Sequence, residues 1–95
     1  MNNNEIFSTR DLYLASTLVT LKFFMTGVDY SIEGDKNLPI GYFRFEKTPE
    51  LMEAKDRYMQ GMLMVEPKQF ITNLKSLKSE IVNITRNPHI PGNVR

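Results

Sequence analysis

Residues 28–33 and 40–46 constrain this chain most. Val28, Tyr30 and Ile32 alternate with Asp29, Ser31 and Glu33. After the turn-forming stretch "GDKNLP", the same period of two returns in "IGYFRFEK". The pattern predicts an antiparallel hairpin over roughly 27–47. It also suggests a register, with Glu33 opposite Ile40, Tyr30 opposite Phe43 and Val28 opposite Phe45. That register sets Asp29 opposite Arg44 as a cross-strand charge pair on the outer face. A slip of one residue would turn the apolar face to water. An isolated hairpin is marginally stable, so the remaining residues must cover one of its faces.

The cover reads as helical. In "FSTRDLYLASTLVTLKFF", Ser8 is placed to cap, Asp11 stands where a capping-box acid would, and Phe7 and Leu12 occupy hydrophobic-staple positions. Leu14, Ala15, Leu18, Leu21 and Met25 recur at helical spacing. Thr17, Val19 and Thr20 favour a strand instead, but the start signals favour a helix over 9–23. Thr48, Pro49 and Glu50 form a second entry: a capping hydroxyl, a proline at the first helical position and an acid at the positive end of the dipole. Leu51, Ala54, Tyr58 and Met62 mark its buried stripe, and Gly61 its stop. Pro67 opens a third helix, where Phe70, Leu74, Leu77, Ile81 and Ile84 repeat at spacings of four and three. It should run to about residue 84.

The expected fold class is α+β, a two-stranded antiparallel hairpin packed against three helices in the order helix, strand, strand, helix, helix. Residues 1–84 form one domain, and 85–95 ("TRNPHIPGNVR") an extended tail. "MLMV", 62–65, is too apolar for an exposed loop and reads as a short third edge strand, a core plug or part of a methionine surface. The polar leader "MNNNEI" reads as frayed. The predicted core is Leu14, Leu18, Val28, Tyr30, Phe43, Phe45, Leu51, Tyr58, Phe70, Leu74, Leu77 and Ile81.

Composition removes several function classes. With no cysteine among 95 residues, disulfide frameworks, zinc fingers, iron–sulfur clusters and thiol catalysis are excluded, and a cytoplasmic setting is expected. A net charge of +1 is low for a dedicated electrostatic nucleic-acid binder, although a local basic stripe is compatible with it. The apolar run 12–24 is interrupted by Lys22, lacks a basic n-region and is too short to span a bilayer, so no membrane role is expected.

Catalytic constellations are sparse. His89 is the single histidine and falls in the proline-rich tail. Gly27, Gly34, Gly41, Gly61 and Gly92 are scattered and form no phosphate-cradling pattern. Among the acids, Asp29 and Glu46 belong to the outer hairpin face, Asp35 to the turn, and Glu50, Glu53 and Asp56 to the second helix. Glu53 and Asp56 could share a face as metal ligands do, but Arg57, four residues after Glu53, offers an ordinary helical ion pair. No catalytic residue, metal or cofactor is expected.

Two binding surfaces stand out. Met52, Met59, Met62 and Met64 cluster around the second helix and the connector, where flexible thioethers would suit an adaptable protein interface. Lys68, Lys75 and Lys78, with Arg86 beyond, form a basic ridge on the last helix that could follow phosphates, though Glu80 interrupts it. The connection over 61–66 is too long and apolar for a helix-turn-helix.

The segments "FSTRDLYLA", "YFRFEKTPEL" and "VEPKQFITNLKSLKSEI" together resemble a family of short bacterial and phage-borne domains of unknown function. The likeness spans roughly 7–82 and is carried by Phe7, Thr9, Asp11, Leu12, Phe43, Phe45, Pro49, Pro67, Phe70, Leu77 and Lys78. Where that family often has an aspartate before the last helix, this chain has Glu66, a weaker cap. The resemblance implies a mobile-element setting and supplies no catalytic residue. The expectation is a small non-enzymatic accessory protein that binds another macromolecule, with nucleic-acid binding through the lysine ridge as the alternative.

Overall fold

The computed structural model describes residues 5–33 and 38–86. Six elements follow in chain order: β1 (Ile6–Thr9), α1 (Leu12–Thr20), β2 (Met25–Glu33), β3 (Leu38–Glu46), α2 (Pro49–Met59) and α3 (Pro67–Arg86). The class is α+β, with a three-stranded antiparallel sheet in the order β1-β3-β2. Both neighbours run antiparallel to β3, so β1 and β2 point the same way on either side of it. With α1 as the crossover, this is a split β-α-β unit with β3 filling the gap.

β1 corrects the expected start of the chain. The third strand is not "MLMV", which forms neither strand nor helix, but Ile6–Thr9. Phe7 lies opposite Phe45 and Thr9 opposite Phe43. The Lys47 amide donates to the Glu5 carbonyl at 3.0 Å, and their side chains pair at 3.7 Å, continuing the contact past the strand ends. Ser8 therefore sits in a strand and does not cap, and the helix begins at Leu12 instead of residue 9. Asp11 is the cap itself, its carboxylate accepting from the Tyr13 and Leu14 amides at 3.0 and 3.1 Å. The Thr9 hydroxyl accepts from the Asp11 amide and fixes the strand-to-helix corner.

α1 ends at Thr20, short of the expected residue 23. Lys22 takes a left-handed φ of 76°. The Lys22 amide donates to the Val19 carbonyl and the Phe23 amide to that of Leu18, which is a Schellman closure. Ser16 and Thr17 are buried yet satisfied, since their hydroxyls donate to the Leu12 and Tyr13 carbonyls four residues back. Thr20 does the same to Ser16. This back-bonding satisfies hydroxyls that the buried face of the helix would otherwise leave without a partner.

The β2–β3 register differs by two residues from the expected one. Val28 lies opposite Phe43, Tyr30 opposite Gly41 and Glu33 opposite Leu38. A two-residue shift leaves every side chain on its original face, so alternation alone cannot distinguish the two pairings. Two features favour the observed one. The Tyr30 ring covers Gly41, which has no side chain to oppose it. A bulge between Met25 and Gly27 returns Met25 to the inner face opposite Phe45. Asp29 and Arg44 still pair at 3.4 Å, but as diagonal instead of direct neighbours.

The inner sheet face meets the helices in a core of Leu14, Ala15, Leu18, Phe43, Phe45, Leu51, Ala54 and Leu77. Burying Phe43 and Phe45 contributes on the order of 2–3 kcal/mol each. Val28, Tyr58 and Ile81 pack partly buried around this centre, as do Phe7 and Met52. Phe70 and Leu74, predicted as core, are only half-buried. α1 packs against both α2 and α3, and α3 also reaches β3.

α2 begins as expected: the Thr48 hydroxyl accepts from the Leu51 amide at 3.1 Å, and Pro49 stands at the first position. It closes at Gly61 (φ 71°), with the Met62 amide donating to the Arg57 carbonyl. Glu66 caps α3 through its carboxylate, which accepts from the Gln69 amide at 2.7 Å. α3 continues through residues 85 and 86, two residues into the expected tail. The rest of that tail, with His89, and the turn containing Asp35 lie outside the described residues.

Candidate functional site

The connector between α2 and α3 is the first candidate surface. Exposure alternates along it from Met62 to Glu66. Leu63 and Val65 turn inward with Thr17, Tyr58, Gly61 and Phe70 to line a shallow groove of about 250 Å³. Met62 and Met64 turn outward. They are 65% and 88% exposed, and Met59 at the end of α2 is 70% exposed. The connector is thus neither an edge strand nor a plug. Met52 does not join this surface, because it packs half-buried against the core.

Tyr58 anchors the groove beside the first turn of α1. Burial, followed by the charge and hydrogen bonding of Asp11 and the nearby Tyr13, raises its pKa above the ordinary tyrosine value.

The second candidate is α3. Lys68, Lys75 and Lys78 are all exposed. Arg86 is the last residue of the helix, and its side chain lies outside the described residues. The lysines do not form an uninterrupted polar ridge. Lys68, Ile71, Lys75, Lys78 and Val82 follow at spacings of three, four, three and four, one stripe of the helix, and both aliphatic members are exposed. Lys75, Lys78 and Val82 border a shallow depression with Ser79 and Asn83.

Beside this stripe lies a groove of about 350 Å³ between three elements. α1 supplies Leu12, with Arg10 from the turn before it, β3 supplies Ile40, Gly41 and Phe43, and α3 supplies Lys78, Ile81 and Val82. Its floor is apolar and its two charged lining residues are both cations. Among the described residues neither cation has an ion-pair partner. Asp11, next to Arg10 in the chain, is engaged by the Tyr13 and Leu14 amides. Nothing in the sequence pattern pointed to Arg10; only the β1–α1 corner carries it to α3.

The remaining acids do not converge. Glu53 pairs with Arg57 at 3.8 Å and Asp56 with Lys55 at 3.3 Å, both on the exposed face of α2. Among the described residues no three metal-binding side chains come together. Among those residues no helix is long and apolar enough to cross a membrane.

No protein-family model, curated protein or solved structure matches the chain.

Proposed function

We propose that this is a small non-enzymatic accessory protein that acts by binding another protein. The observation that carries the reading is the outward display of Met59, Met62 and Met64 on one short stretch of chain. Burying them in the protein's own core would have been favourable, and apolar surface of this kind marks interaction sites. Unbranched thioethers adapt to an apolar partner at little steric cost. The phage or mobile-element setting implied by the family resemblance fits an accessory role of this type.

Affinity capture from the native host, followed by mass spectrometry, tests the reading. A specific partner should be recovered by the unaltered chain and lost with the combined Met59→Ser, Met62→Ser and Met64→Ser variant. Equal recovery by both, or no specific partner, overturns it.

The second reading is nucleic-acid binding along α3, favoured by the exposure of Lys68, Lys75 and Lys78. Phosphate-driven affinity would fall steeply with salt, whereas a largely apolar protein contact would change little. Absence of DNA and RNA binding at low salt ends this reading.

A further inference from the structure

We propose that the groove between α3 and the β1–α1 turn receives an acidic peptide segment of the partner, anchored by an apolar side chain. The proposal rests on the protein-binding reading and adds a second contact, with its own chemistry, away from the methionines. Three observations converge on it.

Charge complementarity comes first. Arg10 and Lys78 lie on different elements yet line one groove, both unpaired among the described residues, and no acid lines it there. Lys75 extends the same sign along α3. Such a rim attracts carboxylates and repels basic partners.

The floor comes second. Leu12, Ile40, Ile81 and Val82, above the buried Phe43, give an apolar surface that a purely ionic ligand would leave uncovered. Gly41 lets the Ile81 side chain and the Tyr30 ring pack directly on β3, which fixes Ile81 as part of that floor.

The stripe beside the groove comes third. Lys68, Lys75 and Lys78 share one face of α3 with the exposed Ile71 and Val82, a mixture that matches a segment combining acids with apolar residues. A phosphate backbone would use only the cations. Among the described residues no exposed aromatic lines this groove to stack a base, which favours a peptide over nucleic acid.

The test uses the full chain, isotope-labelled, and a short synthetic peptide alternating glutamate with leucine and phenylalanine. Amide NMR shifts should saturate and centre on Arg10, Leu12, Ile40, Gly41, Lys78 and Val82. The Arg10→Glu, Lys78→Glu double variant alters exposed side chains and should keep its folded spectrum. It should bind the peptide about tenfold more weakly or worse. Peptides with lysine for glutamate, or serine for leucine and phenylalanine, should fail to bind. The triple methionine variant should bind the peptide unchanged.

No saturable shift at millimolar peptide, shifts centred elsewhere, or equal binding of the lysine peptide overturns the groove assignment. So does tighter binding of a short DNA duplex at the same residues, which would favour the nucleic-acid reading. If peptide binding depends on the methionines and not on Arg10 and Lys78, the groove assignment fails while the protein-binding reading stands. If the peptide binds as expected but host capture yields no partner, the methionine reading fails and the groove chemistry remains.

Discussion

Lys22 and Gly61 perform the same task at the ends of two helices. Both take a left-handed φ, 76° and 71°, and both sit within Schellman closures. Glycine adopts that conformation freely, whereas a residue with a Cβ is strained there by on the order of 1 kcal/mol. Lys22→Gly should therefore stabilise the fold by about 1 kcal/mol, seen as a higher denaturant midpoint with unchanged slope. Gly61→Ala should lower the midpoint by a similar amount. A second residue stands out for the opposite reason. Among the described residues the Tyr30 hydroxyl is buried and has no hydrogen-bond partner. Removing a buried, unsatisfied polar atom should be neutral or favourable, so Tyr30→Phe is expected to raise stability by up to about 1 kcal/mol in equilibrium unfolding. A loss above about 1 kcal/mol would mean that this hydroxyl is satisfied in solution.

Between elements, α3 packs directly on β3 at Gly41. A Cβ at Gly41 would collide with the end of the Ile81 side chain and crowd the Tyr30 ring. Gly41→Ala should cost about 1–3 kcal/mol, the usual range for overpacking. Ile81→Val removes the colliding methyl, so the same Gly41 substitution should cost less in that background. A double-mutant cycle by chemical denaturation measures this coupling, and strict additivity would rule out the contact as the cause. β1 shows why some elements were hard to read. Four residues, Ile6–Thr9, are too few for alternation to outweigh a plausible cap-and-staple pattern at Phe7, Ser8, Asp11 and Leu12. Asp11 was recognised as a helix-start residue, but only pairing with β3 shows that the residues before it are a strand. α2 and α3, in contrast, were legible because Thr48-Pro49 and Glu66-Pro67 carry their start signals locally.

At the scale of the whole molecule, two tyrosines with raised pKa, Tyr30 and Tyr58, contribute to the loss of stability at alkaline pH. Burial comes first for both. It acts with Glu80 at Tyr30, and with Asp11 and then Tyr13 at Tyr58, to raise the pKa above the ordinary value of 10.0. Each then keeps its proton more tightly when folded than when unfolded. Their contribution is complete below pH 10.0 and is lost as pH rises through the higher folded values, because the unfolded chain ionises first. The denaturation midpoint should fall above that pH, and Tyr58→Phe should make the fall shallower. An unchanged profile in the variant would exclude Tyr58 as a contributor.

The sequence by itself determined the local facts. Alternation specified the hairpin and its two faces, spacing specified the stripe of α3, and capping chemistry specified where α2 and α3 begin. These depend on neighbours within a few residues, so one chain carries them in full. The tertiary structure decided what needs partners distant in sequence. It placed β1 at the edge of the sheet and selected the Tyr30–Gly41 register over one that shares the same faces. It turned Met62 and Met64 outward while drawing Leu63 and Val65 in. It also brought Arg10 to Lys78 across an apolar floor, 68 positions further along the chain, which no periodicity could reveal. Pattern is set by local backbone geometry; pairing is set by which surfaces can be buried together.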